Sequence, residues 1–168
     1  MLSYALTPIL KGNKIKLFTT VNDSIAFKLL ESLGAFEIIA VEENKTFNVG
    51  EFSFEFYKMT HPVDSFGIKI NNVFAYSGDT TKNENIYNLI KGTSLILLDG
   101  AFLQKDYAEN KPHMSIKQVC EIAKESGIKT IVTHFSPTNL DKDVETECKL
   151  FGGNVLIAKE DEVYIINE

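Results

Sequence analysis

The chain is poor in the features that mark membrane-bound and exported proteins. Its 168 residues contain no apolar run near the roughly 18 residues that cross a bilayer. The first residues, 1–4, show neither the basic stretch nor the cleavage site of a signal peptide. Only two cysteines are present, Cys120 and Cys148, which is too few for a disulfide framework. We therefore expect a cytoplasmic protein with reduced thiols and no membrane partner.

Positive charge is also scarce. Lysine and arginine total 17 against 23 acidic residues, which gives a net charge of −6. Binding to nucleic acid without sequence preference needs many cationic contacts to phosphates, so this balance argues against such a role. Hydrophobic residues make up 44% and charged residues 24%, as in ordinary globular proteins, which excludes disordered and collagen-like chains. The length predicts one domain, residues 1–168.

The hydrophobic pattern predicts a mixed chain of strands and helices. Strands are expected at 13–20, 36–43, 47–59 with a turn at 49–51, 68–70, 73–76, 95–98, 129–132, 154–158 and 162–166. Helices are expected at 25–33, 85–90, 115–126 and 144–150. Hairpins dominate the first half, and strands alternate with helices in the second. This order predicts the α/β (α+β) class, with helices packed against a mixed β-sheet.

Two local motifs are more specific. Asn71 and Asn72 stand between two apolar runs, which is typical of a hairpin turn. Ser115 and Gln118 have the spacing of a capping box at the start of a helix. In the same helix Cys120 belongs to the apolar stripe, so we expect a core residue rather than a nucleophile.

Histidines are few, and their positions are informative. His61, Asp79 and His134 each follow a predicted strand, and His113 precedes the helix that begins near Ser115. Strand ends are where α/β proteins place ligand-binding side chains. Imidazole and carboxylate are the natural ligands of zinc and similar metals. The residues alone leave two interpretations open: a metal site, or polar side chains that are solvated or satisfied in the core.

Five segments in one order resemble the metallo-β-lactamase superfamily of metal-dependent hydrolases, in particular its ribonuclease Z-like and phosphodiesterase branch. They are THPVDSFGIKI (60–70), AYSGDTT (75–81), LILLDGAF (95–102), HMS (113–115) and IVTHFSP (131–137). The resemblance extends over nearly the whole chain. It implies an αβ/βα sandwich, of which this chain resembles the C-terminal part.

The resemblance also implies roles for four residues. His61 matches a ligand of the first metal, Asp79 the aspartate that bridges two metals, and His134 a ligand of the second metal. His113 matches the histidine that ribonuclease Z-like members place near the scissile phosphate, where it donates a proton or holds a phosphoryl oxygen. The implied cofactor is zinc or manganese, and the implied reaction is hydrolysis of a phosphodiester. Asp99, Ser136 and Thr138 are further candidates to line the same crevice but are assigned no role.

The family's principal motif, His-x-His-x-Asp-His, does not occur in this sequence. In the family it supplies further ligands to both metals and the usual general base. Two ligands per metal fall short of the three that a catalytic zinc normally has, so we expect metal binding to be weak or absent. The segment 2–10 resembles the helix that follows this motif. We therefore expect an N-terminally truncated domain that is inactive or weakly active as this chain.

Two other functions remain open: a non-catalytic binding or structural domain, and half of a split hydrolase completed by a separate chain that carries the missing motif. The acidic balance and the lack of a basic arm favour a small phosphodiester or cyclic nucleotide over large RNA. We also expect a homodimer, because loss of the first half would expose a sheet face that includes part of the row Phe52, Phe54 and Phe56.

Overall fold

A computed structural model describes residues 13–22 and 24–166. The strands described are β1 (Ile15–Thr19), β2 (Phe36–Ala40), β3 (Thr46–Val49), β4 (Phe52–Lys58), β5 (Phe66–Ile70), β6 (Phe74–Tyr76), β7 (Leu95–Asp99), β8 (Lys129–Thr133) and β9 (Val155–Ile157). The helices described are α1 (Ile25–Ser32), α2 (Glu84–Ile90), α3 (Ile116–Ser126) and α4 (Asp141–Phe151). These elements form two compact units, and the boundary between the units in the sequence lies between Glu42 and Glu43. The predicted helix at 2–10 lies outside the described residues.

The first unit joins two parallel strands through one helix. Strand β1 pairs with β2, and Ile15 stands opposite Phe36 in the register. Helix α1 begins after Ser24, whose hydroxyl oxygen accepts a hydrogen bond from the Phe27 N–H. Gly34 follows the helix with φ +65°, a conformation that glycine adopts without strain. The predicted strand, helix and stop signal are confirmed here.

The second unit is built on a seven-stranded mixed sheet in the order β3-β4-β5-β6-β7-β8-β9. Strands β3 to β6 pair antiparallel, and strands β6 to β9 pair parallel. Asn71 and Asn72 have φ values of +50° and +55°, as a tight turn between β5 and β6 requires. The predicted mixed sheet and its Asn-Asn hairpin are confirmed.

Helices cover one face of this sheet and enclose the core. Fully buried side chains of the strands are Ala75, Ile96, Leu98 and Val132; those of the helices include Ile86, Leu89, Ile116, Val119, Cys120, Ile122 and Val144. The capping box before α3 is present, since the Ser115 hydroxyl accepts from the Gln118 N–H and the Gln118 side chain accepts from the Ser115 N–H. Within the described ranges no helix is long and apolar enough to cross a membrane.

The strand predicted at 162–166 is wrong. Asp161 turns the chain with φ +59°, and the segment after it forms no strand. Val163 and Ile165 are 84% and 76% exposed, so their alternation faces solvent instead of a packed surface. Tyr164 holds the segment, because its hydroxyl donates to the Ile157 carbonyl and accepts from the Lys159 N–H.

A buried lysine caps the carboxyl end of α2 with hydrogen bonds. Lys69 on β5 is only 5% exposed, and its Nζ donates to the Tyr57 hydroxyl at 3.0 Å. It also donates to the carbonyls of Asn88 and Lys91, at 3.3 and 3.2 Å. The last carbonyls of a helix lack partners within the helix and carry partial negative charge, which an ammonium group satisfies. Burial lowers the pKa of Lys69, against the opposing charge of Glu55.

Replacing this lysine tests its role in stability. We expect Lys69→Met to lower the free energy of unfolding by about 2 kcal/mol, because the helix carbonyls lose a charged donor. Urea unfolding followed by circular dichroism measures the change. Lys142→Met, on the exposed side of α4, is the control and should stay within about 0.5 kcal/mol of the wild type. Equal stability of the two variants would contradict the assignment.

Candidate metal centre

The candidate site lies at one edge of the seven-stranded sheet. Strands β4, β6, β7 and β8 run in the same direction, so their carboxyl ends meet at this edge. His61 follows β4 and Asp79 follows β6. Asp99 is the last residue of β7, and His134 follows the last residue of β8. His113 enters from the segment that leads into α3.

The structure brings the four predicted site residues together. The His113 ring lies between the other two imidazoles, with its centroid 5.1 Å from that of His61 and 4.8 Å from that of His134. The His134 Nε2 is 3.7 Å from the Asp79 Oδ1. Two sets of three side chains have ligand atoms within 4.8 Å of one another: His61, Asp79 and His113, and Asp99, His113 and His134. We call these five residues the histidine cluster.

Asp99 is the member of the histidine cluster to which the sequence assigned no role. Its Oδ2 lies 2.7 Å from the His113 Nδ1 and accepts a hydrogen bond from the Thr80 N–H at 2.9 Å. Burial raises the pKa of Asp99 above its ordinary value, against the opposing hydrogen bonds from Thr80 and His113. Its position at the end of a buried apolar strand places it at the edge of the sheet, but its role becomes visible only from its burial and its contact with His113.

The bond to Asp99 orients the His113 imidazole. With Nδ1 directed at a carboxylate, the proton of the neutral ring is assigned to that nitrogen, and Nε2 is turned away from Asp99. The Phe102 ring lies 6.1 Å from the His113 ring, and the His113 side chain keeps only 16% of its surface exposed. Such a fixed ring is suited to bind a metal or to exchange a proton in the crevice.

The backbone around Asp79 and His134 is tightly specified. Gly78 has φ +61°, and a Cβ there would lie 2.8 Å from the Phe66 carbonyl oxygen, so only glycine fits. The Ser65 hydroxyl donates to the Asp79 carbonyl at 2.7 Å. His134 itself has φ +65°, which is uncommon for a residue with a side chain and is often found at functional sites.

The donor set of the histidine cluster fits a divalent metal ion. Three imidazoles and two carboxylates are ligands that zinc and manganese accept. The buried Asp99 Oδ1 has no hydrogen-bond partner among the described residues, so the cluster holds an oxygen that a cation or a water molecule would satisfy. Asp79 and His134, 40% and 43% exposed, leave the crevice open to solvent.

Comparisons with known proteins agree with this geometry. The profile of the family described as "Anti-Pycsar protein Apyc1" matches residues 21–156. Among curated relatives, Ribonuclease Z of Saccharolobus solfataricus is 31% identical over 81 residues, which are 48% of this chain and 28% of the relative. Ribonuclease Z of Brevibacillus brevis is 34% identical over 71 residues, or 40% of this chain and 22% of the relative. The matches thus span less than a third of these relatives' length.

Solved structures show the fold. YhfI of Bacillus subtilis, a metallo-β-lactamase fold protein, has a TM-score of 0.80 and 21% identity, covering 94% of this chain and 67% of that chain. The short form of human tRNase Z has a TM-score of 0.68 and 16% identity, covering 99% and 74%. A diphosphatase of the PhnP family has a TM-score of 0.70 and 16% identity, covering 96% and 64%. The described chain therefore has the metallo-β-lactamase fold.

Zinc titration tests the histidine cluster directly. We expect Zn²⁺ to shift the imidazole ring signals of His61, His113 and His134 together in ¹H–¹⁵N NMR spectra, because their rings lie side by side. Asp79→Asn should weaken the response, and Asp106→Asn, an exposed acid in a short helical turn, should leave it unchanged. A response confined to one histidine would argue against a shared metal site.

Proposed function

The chain belongs to the family described as "Anti-Pycsar protein Apyc1" and has the fold of metal-dependent hydrolases, and we propose on that basis that its site serves phosphodiester cleavage. The observation that carries the proposal is the His113 imidazole, held by Asp99 at 2.7 Å and flanked by two further histidines. The proposed substrate is a small phosphodiester such as a cyclic nucleotide.

In this proposal His61, Asp79 and His134 would hold the metal ions. The approach of the His134 Nε2 to the Asp79 Oδ1, at 3.7 Å, supports a shared ion at that point. Bound metal would supply an activated water and offset the charge of the phosphate. Zinc and manganese both suit this mixture of imidazole and carboxylate ligands.

The proposed role of His113 is to protonate the leaving oxygen or to hold a phosphoryl oxygen. With Nδ1–H bonded to Asp99, the ring can donate from Nε2 only as the imidazolium, whose positive charge the facing Asp99 carboxylate stabilises. Asp99 acts as a positioning residue, because it fixes the Nδ1 proton and thereby directs Nε2 toward the crevice.

The net charge of −6 supports a small substrate rather than large RNA, since a long polyanion is repelled over its whole length. A small phosphodiester carries a single negative charge that a bound metal can offset within the crevice.

We also propose that this chain on its own is inactive or weak. All three of its histidines lie in the histidine cluster, and none is left to form the His-x-His-x-Asp-His motif. A split hydrolase completed by another chain is the favoured alternative, because the side chains of the histidine cluster still lie close enough together to bind a metal ion. A purely structural or binding domain would gain nothing from that arrangement.

Complementation tests the proposed reaction. With Mn²⁺ or Zn²⁺ present, we expect little hydrolysis of bis-p-nitrophenyl phosphate by this chain alone. We expect clear turnover when a polypeptide carrying the His-x-His-x-Asp-His segment of a family member is added. His113→Ala should then reduce turnover by roughly 10²- to 10⁴-fold, the usual contribution of a general acid. Asp106→Asn serves as the control.

Two results would count against this proposal. Turnover by the isolated chain would refute the proposed inactivity but would agree with the proposed phosphodiester cleavage. No turnover of either bis-p-nitrophenyl phosphate or a cyclic nucleotide, by a complemented chain that binds metal, would refute phosphodiester cleavage itself.

The proposed partner is a second copy of the chain. Phe52 is 50% exposed, and the half-buried Phe74 and Leu97 line an apolar cavity of about 370 Å³ in the sheet. Apolar surface of this kind favours association. We expect the mass of a homodimer in light scattering at micromolar concentration, reduced by Phe52→Lys but not by Val163→Lys in the exposed segment after β9. A monomeric wild type would contradict it.

A further inference from the structure

Both cysteines of the chain lie where α3 and α4 pack together. Cys120 is on the inward face of α3 and is 0% exposed, beside the equally buried Val119. Cys148 on α4 is half-buried and packs against the same core, one turn after Val144. Both thiols are free. Neither belongs to the histidine cluster, so they form a separate pair of nucleophilic groups.

The end of α4 is seated on the turn of α3 that carries Cys120. A Cβ on Gly153 would lie 3.1 Å from the Cys120 carbonyl oxygen, and one on Gly152 would lie 3.2 Å from the Lys124 Cε. The Gly152 N–H donates to the Cys148 carbonyl at 2.9 Å, which ties Cys148 to this contact. The two segments therefore meet at backbone distance, at the helix turns that carry Cys120 and Cys148.

The two thiols are not equivalent. The hydrogen bond with Cys148, together with burial, raises the pKa of Cys120. The same bond lowers the pKa of Cys148, against burial and the charges of Glu147 and Glu145. The thiolate is the reactive form of cysteine, so both shifts favour Cys148 over Cys120 as the nucleophile.

The two thiols also differ in their access to solvent. Cys148 lines a groove of about 450 Å³ together with Lys149 and Tyr164, whereas Cys120 has no exposed surface. A small oxidant can therefore reach the sulfur of Cys148 but not that of Cys120. An accessible thiol next to a second, protected thiol is the arrangement of a redox-sensitive pair.

We propose that Cys148 and Cys120 are a peroxide-sensitive dithiol that closes to a disulfide between α4 and α3. The Cys148 thiolate attacks one oxygen of hydrogen peroxide, the O–O bond breaks, and sulfenic acid and hydroxide result. The Cys120 sulfur then attacks the Cys148 sulfur, and the sulfenic hydroxyl leaves as water with the Cys120 proton. The two thiols supply the two electrons that reduce the peroxide.

The test uses the reduced full chain and a small molar excess of hydrogen peroxide. After the remaining thiols are alkylated, we expect an intact mass lower by two hydrogen atoms, no alkylation, and one peptide pair that joins Cys120 to Cys148. Dithiothreitol should reverse the change. Before oxidation, alkylation of Cys148 should be at least about tenfold faster than that of Cys120, because the Cys120 side chain has no exposed surface.

Two variants separate the steps. Cys120→Ala should stop at a Cys148 sulfenic acid that dimedone traps, and Cys148→Ser should leave Cys120 unmodified. Because Cys120→Ala removes a core group, circular dichroism of both variants is recorded first to check that they fold. If Cys120→Ala does not fold, the result for Cys148→Ser, at a half-buried position, tests the proposal. A disulfide between two chains, two alkylated thiols after peroxide treatment, or oxidation of Cys120 in Cys148→Ser would each overturn the proposal.

Discussion

The hydrogen bond between Asp99 and His113 is the interaction on which the site depends. A carboxylate buried at the end of a strand is costly unless donors meet its charge, and Asp99 has two, the His113 ring and the Thr80 N–H. Thr80 directly follows Asp79, so the carboxylate that orients His113 also holds the loop that presents Asp79. One buried group thereby connects β7, the loop after β6 and the segment before α3.

Tight backbone contacts keep that group in place. The Asp99 N–H donates to the Ser77 hydroxyl at 3.0 Å, and the Ser77 N–H donates to the Leu97 carbonyl, which joins β6 to β7 directly below the site. A Cβ on Gly100 would clash with the Val132 side chain, so the chain leaves β7 against β8 with no room for a larger residue. The rigid sheet therefore aims the side chains, as a functional site requires.

Local signals in the sequence predicted most of the fold. The Asn71-Asn72 turn and the capping box at Ser115 formed as expected, because both depend on residues close together in the chain. Alternation at 162–166 failed as a strand signal, since that pattern needs a buried face to pack against and Val163 finds only solvent. Hydrophobic alternation shows that a segment is able to form a strand, and packing against the rest of the fold determines whether the strand forms.

The site was less predictable for a related reason. The resemblance singled out His61, Asp79, His113 and His134, but spacing alone could not show that they join Asp99 in two sets of three side chains, each with its ligand atoms within 4.8 Å of one another. Asp99 is separated from His113 by a loop, and nothing local distinguishes it from an aspartate that merely ends a strand. Its importance follows from burial and from the atom it faces, which are properties of the folded chain.

The charge of the histidine cluster limits which activity it can support. Asp79 and Asp99 would repel a phosphodiester anion, and the chain has no arginine, the side chain that best grips a phosphate through paired hydrogen bonds. Binding of a phosphodiester there would therefore need a cation held by these side chains to offset their negative charge. A domain that bound phosphodiesters without metal would need a cationic side chain in place of these carboxylates. Retention of both carboxylates thus favours a metal-dependent hydrolase site over a metal-free binding site.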